Sequence, residues 1–502
     1  MYFDQNKIKK IFEPFFLKRI IGSSSPASQF LYSDRLRMLV CCTMIIFLFS
    51  CRKFVEVETP TTSTNAELVF KTDASAIAAL NNIYTRMSQQ GISLGITSLS
   101  LYTSLSSDDL KYFESTNDLQ VPPYYSNSLT ASNPGAGDFW SNTYGVYIFL
   151  CNSAINGLSN NEFLTPKVRD QLLGEALFIR SLCFFYLVNL YGDIPLVLTT
   201  DFKTNSNIER TKSSNVYEQI IQDLRRSESL LSGNYLDGTL LRSSIERIAP
   251  NSYCAKALLA RVFLFSGDYT NAKRYSDSVI LNTSLYELST PEEVFLVNSK
   301  ESIWQIQSVS SFNTNTSDAL EFLAAKISPL TARVYLNENL VNSFSVGDQR
   351  RTIWFDSLYL DSKWYYLPAK YKVITPMEPT TERVTVLRLS EQYLIRAEAN
   401  LKLSDLASAV DDINIIRARA GLEKFNSTSA SEIMAEIISQ RRFEFFTEWG
   451  HRWFDLKRLG LVDGVLSNLK GASWQATDQL FPIPLSEIQE NVALVGHQNP
   501  GY

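Results

Sequence analysis

Residues 174–197 read GEALFIRSLCFFYLVNLYGDIPLV, and this segment predicts a long buried helix with a sharp end. Its apolar side chains recur every three or four residues, which places them along one face of an α-helix. They are Ala176, Ile179, Cys183, Tyr186, Leu187 and Leu190. Gly192 permits the positive φ of a helix C-terminus, and Pro195 cannot continue the helical hydrogen bonds. The segment therefore predicts part of a structural scaffold.

Helical periodicity continues on both sides of this segment. It predicts helices at 73–87, 138–159, 166–191, 213–231, 251–266, 269–281, 387–403, 405–420 and 429–449. The periodicity is lost in 91–137 and 283–386, which contain polar loops and short strand-like runs such as 301–307 and 364–371. These two stretches predict a less regular region inserted into a helical scaffold.

A weak internal repeat links two of the predicted helical pairs. At one constant offset, Ala260, Leu264, Asp268, Ala272 and Val279 correspond to Ala397, Leu401, Asp405, Ala409 and Ile416. In each copy the aspartate is placed to cap a second helix, and alanine stands where the two helices approach closely. This pattern is typical of tetratricopeptide-like hairpins, which bury their apolar faces by stacking on neighbours. We therefore predict a mainly α fold with such hairpins as its scaffold.

Composition excludes several classes of function. The formal charge is −5, and because residues 1–50 hold seven basic and three acidic side chains, the remainder is near −9. An acidic chain does not favour a nucleic-acid partner, since binding to phosphates requires basic patches. Two histidines cannot supply a multi-histidine metal site, and the three cysteines after Cys51, an odd number without local spacing, predict no disulfide framework. We name no metal-binding residue and expect no cofactor.

The N-terminal 66 residues predict a lipid anchor. An apolar run from Met38 to Ser50 follows two arginines and is too short to span a bilayer, as in a signal peptide. Leu48-Phe49-Ser50-Cys51 has the form of a bacterial lipobox, which predicts diacylglycerol on Cys51. We expect 1–50 to be a signal peptide with an over-extended start, and 51–66 to be a flexible tether. The alternative is a buried helix in an N-terminal domain.

Four segments in this order resemble the SusD/RagB family of nutrient-binding outer-membrane lipoproteins in Bacteroidetes. The first is the 174–197 helix; the others are LRLSEQYLIRAEA at 387–399, QRRFEFFTEWGHRWFDLKR at 440–458, and the ending with PIP at 482–484 and QNPGY at 498–502. The resemblance covers about 67–502. It implies a scaffold at 67–90, 138–282 and 387–460, ligand-facing loops at 91–137 and 283–386, and an irregular tail at 461–502.

The resemblance also implies a function. A protein of this kind binds a nutrient, by default an oligosaccharide and otherwise a peptide, and delivers it to a SusC-like TonB-dependent transporter. It is expected to be anchored in the outer membrane, to face the cell exterior and to have no catalytic residues. The orientation rests on the resemblance alone.

A glycan site requires several aromatic rings together with directional polar groups. The two loop regions supply them, and the candidate ligand-binding residues are Asp109, Tyr112, Tyr124, Tyr125, Trp364 and Tyr365. Trp354 is a weaker candidate, whereas Trp140, Trp304 and Trp453 are expected in the core. The charged residues of 440–458 are expected to form buried ion pairs, with His451 as a structural side chain.

Two rival functions remain open at this point. An anchored glycoside hydrolase would use Asp108 or Asp109 as one of two facing carboxyl groups about 5–10 Å apart, an arrangement that adjacent aspartates do not provide. A tetratricopeptide-type adaptor would bind only protein through the helical hairpins.

Overall fold

The computed structural model describes residues 66–93, 98–133, 138–310 and 315–502. The predicted signal peptide, Cys51 and the tether up to residue 65 lie outside the described residues. Helices of eight or more residues in the described part are α1 Asp73–Gln89, α2 Leu99–Ser106, α3 Phe149–Leu158, α4 Pro166–Tyr191, α5 Ser213–Leu230, α6 Ser252–Phe265, α7 Tyr269–Ile280, α8 Leu389–Lys402, α9 Leu406–Arg419, α10 Ala430–Phe445, α11 His451–Arg458 and α12 Val462–Lys470.

Shorter helical segments and eight strands complete the described part. The short α-helices are Ala66–Val69, Val121–Ser126, Asp138–Asn142, Phe202–Asn205, Ser317–Phe322, Ala324–Ile327, Glu338–Ser343, Gln349–Trp354 and Leu485–Glu490, and a π-helical turn, Thr143–Ile148, precedes α3. Single 3₁₀ turns are Gly91–Ser93, Pro329–Thr331, Gly471–Ser473, Ala476–Gln479 and Val492–Leu494. The strands are β1 Leu110–Tyr112, β2 Ile194–Pro195, β3 Arg210–Thr211, β4 Ser302–Ile306, β5 Val334–Leu336, β6 Phe355–Leu360, β7 Lys363–Pro368 and β8 Val384–Arg388. The predicted mainly α fold is confirmed.

The opening segment forms the central helix α4. This helix is long and apolar enough to cross a membrane, but its most apolar window is entirely buried in the protein, as expected of a core helix. Gly174 lies against α5: an added Cβ would be 2.8 Å from Leu231 Cγ, so only glycine allows this approach. The helix ends at Gly192, whose φ is +73°, in agreement with the prediction.

The predicted repeat forms two stacked helical hairpins, α6–α7 and α8–α9. The side chains of Asp268 and Asp405 accept hydrogen bonds from backbone N–H groups at the starts of α7 and α9. All four alanines of the repeat are fully buried, and α7 packs against α8. The small side chains therefore let the helices approach closely, as the pattern predicted.

The inserted region contains three two-stranded antiparallel sheets. They pair β1 with β5, β4 with β8, and β6 with β7. The expectation of loops for 91–137 is wrong at α2, a helix buried on every side. Its sequence, LSLYTSLS, alternates apolar residues with small polar ones, and complete burial removes the polar face on which helical periodicity depends.

The tail is also more ordered than predicted. It contains α12, and its last residues are fastened to the end of α4. The Asn499 side chain donates hydrogen bonds to the carbonyls of Tyr191 and Phe481 at 3.0 and 2.8 Å. Arg210 donates to Asn499 Oδ1 at 2.6 Å. Side-chain hydrogen bonds therefore replace regular secondary structure in this segment.

The charged residues of 440–458 are buried in ion pairs, as expected, but most of their partners lie elsewhere in the chain. Glu444 bonds Arg350, Arg388 and Arg419, and Glu448 bonds Arg388 and Lys370. Burial alone would raise the pKa of Glu444, but the three arginines lower it well below its usual value. This network holds α10 against the strands and α9.

Candidate ligand-binding site

Strand pairing brings the two predicted ligand regions together. β1, from the first region, pairs with β5, from the second, with Lys111 opposite Tyr335. β5 in turn packs against β7. Residues more than 200 positions apart in the sequence therefore form one surface.

A cluster of rings lies where β5 meets β7. Phe113, Tyr335 and Tyr365 have ring centroids 4.8, 4.8 and 4.9 Å apart, with Phe113 buried and the two tyrosines half-buried. Burial raises the pKa of the Tyr335 hydroxyl, and nearby Glu338, Tyr365 and Tyr125 raise it further. Tyr335 is therefore a neutral hydroxyl that can donate and accept hydrogen bonds.

Charged side chains border this cluster. Lys111 and Lys363 both bond the carboxylate of Glu338, at 2.8 and 3.1 Å. The Lys363 ammonium also lies 5.0 Å from the centroid of the Tyr365 ring. Burial would raise the pKa of Glu338, but the hydrogen bond from Lys111 and other hydrogen bonds lower it to about 2. The two lysines and the carboxylate offer directional hydrogen bonds beside aromatic rings.

The tip of the β6–β7 hairpin presents the most exposed tyrosine and tryptophan side chains of the described residues. Tyr359 and Trp364 face each other across the hairpin, with ring centroids 5.1 Å apart, and are 58% and 59% exposed. The other six tryptophans of the chain are buried, including Trp354 and the three that were expected in the core. The turn that joins β6 to β7, Asp361-Ser362, has positive φ at both residues, as in tight hairpins whose twist matches that of the strands.

Trp364 and Tyr365 lie on opposite faces of this hairpin. Successive side chains of a strand alternate between faces, so Trp364 shares a face with Tyr359, and Tyr365 shares the other with Leu358. Tyr365 packs on a small apolar cluster, whereas Trp364 faces solvent. A ligand stacked on Trp364 therefore does not also lie flat on Tyr365.

Tyr112 and Tyr125 form a third aromatic pair beside the ladder. Their rings meet edge to face at 5.3 Å, and both are half-buried. Tyr112 is opposite Val334, which places it on the other face of the ladder from Tyr335. The ammonium of Lys470 lies 5.3 Å from the Tyr125 ring. The predicted residues thus lie around the β1, β5 and β7 strands, but they do not form one flat platform.

Two predicted ligand residues are inside the protein. Tyr124 is fully buried and stacks on Tyr102 at 4.3 Å, because the helix Val121–Ser126 turns it toward the core. Asp109 is also fully buried, and Arg442 bonds its carboxylate at 3.2 Å. Neither side chain is available to a surface ligand in this conformation, and the pattern of the sequence did not show the arginine that holds Asp109.

Tyr335, Glu338 and Tyr359 belong to this candidate surface but were not among the residues that sequence reasoning proposed. Tyr359 could have been found, because a two-residue turn at Asp361-Ser362 places it opposite Trp364. No pattern in the sequence around Tyr335 predicts that it belongs to this surface, because its neighbours there depend on the pairing of β1 with β5.

Asp108 and Asp109, the candidate carboxylates of a hydrolase, both form ion pairs with arginines. Asp108 bonds Arg452 at 2.7 Å and Arg442 at 2.8 Å, and it is buried. Burial opposes ionisation, but the two arginines lower the pKa of Asp108 below its usual value. Within the described ranges, His, Cys, Asp and Glu side chains form no group of three or more that could hold a metal ion.

Two family models match the chain. One is described as the SusD family and matches residues 273–502, and the other is described as starch-binding associating with outer membrane and matches 53–264. SusD-like protein P25 of Formosa agariphila is 22% identical, covering 93% of this chain and 99% of that protein. SusD-like protein P2 of the same organism is 25% identical, covering 89% and 96%.

Solved structures of SusD proteins share the fold. A SusD superfamily protein from Bacteroides vulgatus has a TM-score of 0.74 at 20% identity, covering 86% of this chain and all of that one. A laminarin-binding SusD-like protein has a TM-score of 0.71 at 23% identity, covering 85% and 99%. At these identities the likeness establishes the architecture.

Proposed function

The chain belongs to the SusD/RagB family, and on that premise we propose that it is a non-catalytic, lipid-anchored protein of the outer membrane that binds an oligosaccharide. It faces the cell exterior and delivers its ligand to a SusC-like TonB-dependent transporter. Support for a carbohydrate comes from the description of one matching family as starch-binding and from the laminarin-binding relative. Support for the membrane comes from the same description and from the lipobox at Cys51.

The observation that carries the carbohydrate proposal is the exposed pair Tyr359 and Trp364. Large rings are normally buried, and an exposed pair at the tip of a hairpin is costly unless it has a partner. Covering about 100 Å² of apolar surface on such rings contributes roughly 2–3 kcal/mol at 25 cal/mol per Å². The pair therefore suits the flat C–H face of a sugar.

Directional contacts come from the charged groups beside the hairpin. Lys363 is adjacent to Trp364 and half-exposed, and Glu338 is within reach of both Lys363 and Lys111. An ammonium and a carboxylate can each bond sugar hydroxyls. We propose that Tyr359 and Trp364 stack on one sugar of the ligand. Lys363 and Glu338 lie with Tyr365 on the opposite face of the hairpin, and we propose that they bond a further sugar where the glycan passes round the hairpin, with Tyr112 and Tyr125 bordering the site.

We propose that the protein is not catalytic because its candidate carboxylates are buried and paired with arginines. Asp108 and Asp109 are buried against Arg442 and Arg452, and so they do not face each other across an open cleft. Its lowered pKa also makes Asp108 a poor proton donor at neutral pH, whereas Asp109, whose pKa burial raises, is fully enclosed and out of reach of a substrate in this conformation.

Isothermal titration with starch- and laminarin-derived oligosaccharides tests the proposal. We expect one of them to bind, and Trp364→Ala to weaken that binding by roughly tenfold or more, with Tyr359→Ala weaker in effect, because each removes part of a stacking surface. Phe163→Ala is the matched control, since Phe163 is 74% exposed and belongs to the loop between α3 and α4 rather than to the hairpin. Equal affinities of Trp364→Ala and the wild type would contradict the site.

Two further readouts separate the rival functions. Release of reducing sugar from the same glycans would favour a hydrolase. Binding of no glycan, with a transporter still co-purifying, would favour a protein-binding adaptor. Mass spectrometry of the native N-terminus tests the anchor, and we expect residues 1–50 to be absent and Cys51 to be acylated.

A further inference from the structure

A separate cleft of about 510 Å³ lies between α1, α4 and the segment 236–249. Its wall is mostly apolar and includes Ile77, Leu172, Leu240, Ile248 and Ile306. Neither lysine nor arginine is present among the described residues that line it. The acidic residues of the lining are therefore not balanced by basic residues of the same lining.

Glu175 of α4 is among the residues that line this cleft. It is only 2% exposed, and its carboxylate accepts hydrogen bonds from the Tyr84 hydroxyl at 2.6 Å and from the Gln171 amide at 2.8 Å. Both donors are neutral, and no ion pair to Glu175 occurs in the part of the chain that the structure describes. Burial raises its pKa to about 7.

The other two carboxylates of the lining, Glu246 and Asp237, differ from Glu175 in their partners and in their exposure. Glu246 is paired with Arg383 and also bonds Asn298. Asp237 bonds the hydroxyl and backbone N–H of Thr239 within a turn, at the surface. Glu175 is thus the one acidic residue of this lining that combines burial with a lack of a counter-ion.

We propose that this cleft binds an aliphatic ammonium group, with the ammonium on the carboxylate of Glu175 and the alkyl chain against the apolar wall. A buried carboxylate without a cation is costly, and a cation that enters the cleft offsets that cost with a charge-assisted hydrogen bond. The ammonium takes the place of the Tyr84 hydroxyl as donor to Glu175. The apolar wall favours an alkyl chain over a small hydrated ion.

Three probes of equal chain length test the chemistry on the purified protein at pH 8. They are hexylammonium, hexanol and hexanoate, and binding is measured by isothermal titration and ligand-observed NMR. We expect hexylammonium to bind roughly tenfold or more tightly than hexanol, because a charge-assisted hydrogen bond is stronger than a neutral one, and hexanoate to bind least. Hexanol binding as tightly as hexylammonium would overturn the proposal.

Two substitutions test whether hexylammonium binds at Glu175. Glu175→Gln keeps the shape and an acceptor for Tyr84 but removes the charge, and we expect it to abolish the preference for hexylammonium over hexanol. Tyr84→Phe leaves the carboxylate without its competing donor, and we expect hexylammonium to bind at least as tightly as to the wild type. Weaker binding to Tyr84→Phe would contradict the proposal even if Glu175→Gln did not fold.

Matched controls separate this site from the glycan site. Glu287→Gln removes a carboxylate that is 65% exposed and paired with Lys300, and it should leave hexylammonium binding unchanged. Trp364→Ala should also leave it unchanged. A parallel loss in either control would show that the probe binds elsewhere.

Discussion

Two buried carboxyl groups of this protein, Glu444 and Glu175, have pKa values that are shifted in opposite directions. Glu444 is surrounded by three arginines, and its pKa is held well below the usual value in spite of burial. Glu175 accepts hydrogen bonds only from neutral groups, and burial raises its pKa to about 7. Burial raises the pKa of both groups, and the presence or absence of arginine partners decides whether that effect is overcome.

The raised pKa of Glu175 predicts a pH-dependent stability. The folded protein holds this proton more tightly than the unfolded chain, whose pKa is near 4.5. The contribution to stability is therefore complete below about pH 4.5 and is lost as pH rises toward 7, by roughly 3 kcal/mol in total. Glu175→Gln does not titrate, so its stability relative to the wild type should improve by that amount between pH 4.5 and 8.

Urea unfolding at the two pH values measures this difference. Glu287→Gln is the control, and its stability relative to the wild type should change little because the side chain is largely exposed. If Glu175→Gln showed the same relative stability at both pH values, the carboxyl group would not be titrating between them.

At the scale of elements, the helical hairpins depend on their capping aspartates. The carboxylates of Asp268 and Asp405 accept hydrogen bonds from backbone N–H groups at 3.0 and 3.2 Å. Asp268→Ala should lower the free energy of unfolding by about 1 kcal/mol, and Asp405→Ala should lower it as well, because each substitution removes a helix cap. Asp411→Ala is the control: Asp411 is exposed within α9, so its loss should change stability by less than about 0.5 kcal/mol. Thermal and urea unfolding distinguish the caps from the control.

The β6–β7 hairpin illustrates an element whose function depends on alternation. Its two faces carry different chemistry, with Tyr359 and Trp364 toward solvent and Leu358 and Tyr365 toward a small apolar cluster. Because successive side chains of a strand alternate between faces, Trp364 and Tyr365 cannot both face solvent, and the structure identifies Tyr365 as the ring that faces inward.

At the scale of the whole molecule, buried ion pairs join the inserted region to the scaffold. Arg388 at the end of β8 bonds Glu301, Glu444 and Glu448, and Arg419 of α9 bonds Glu301 and Glu444. The network thus connects β4, β8, α9 and α10, which are far apart in the sequence.

Removing one charge from this network should destabilise the whole molecule. Glu444→Gln leaves three buried arginines with less compensation, and we expect it to lower the free energy of unfolding by about 3–5 kcal/mol. Glu287→Gln breaks an exposed pair and should cost about 0–1 kcal/mol. Both are measured by urea unfolding at neutral pH. Equal costs for the two substitutions would mean that the network contributes no more than a surface pair.

Features that depend on neighbouring residues could be predicted from the order of the amino acids. Periodicity located the central helix α4, the repeat located the hairpins α6–α7 and α8–α9, and the aspartates located their caps. Each of these signals arises within a few helical turns, because burial of one face and satisfaction of helix ends are local requirements.

The accessibility of the candidate ligand residues depended on the tertiary structure. It buried Tyr124 and Asp109, exposed Trp364 while burying the other six tryptophans, and brought Tyr335 to Lys111 through the β1–β5 pairing. The exposure of a ring and the partner of a carboxylate depend on segments hundreds of residues away. The strands that carry the site are short, and their alternation separates two faces without showing which of the two faces solvent.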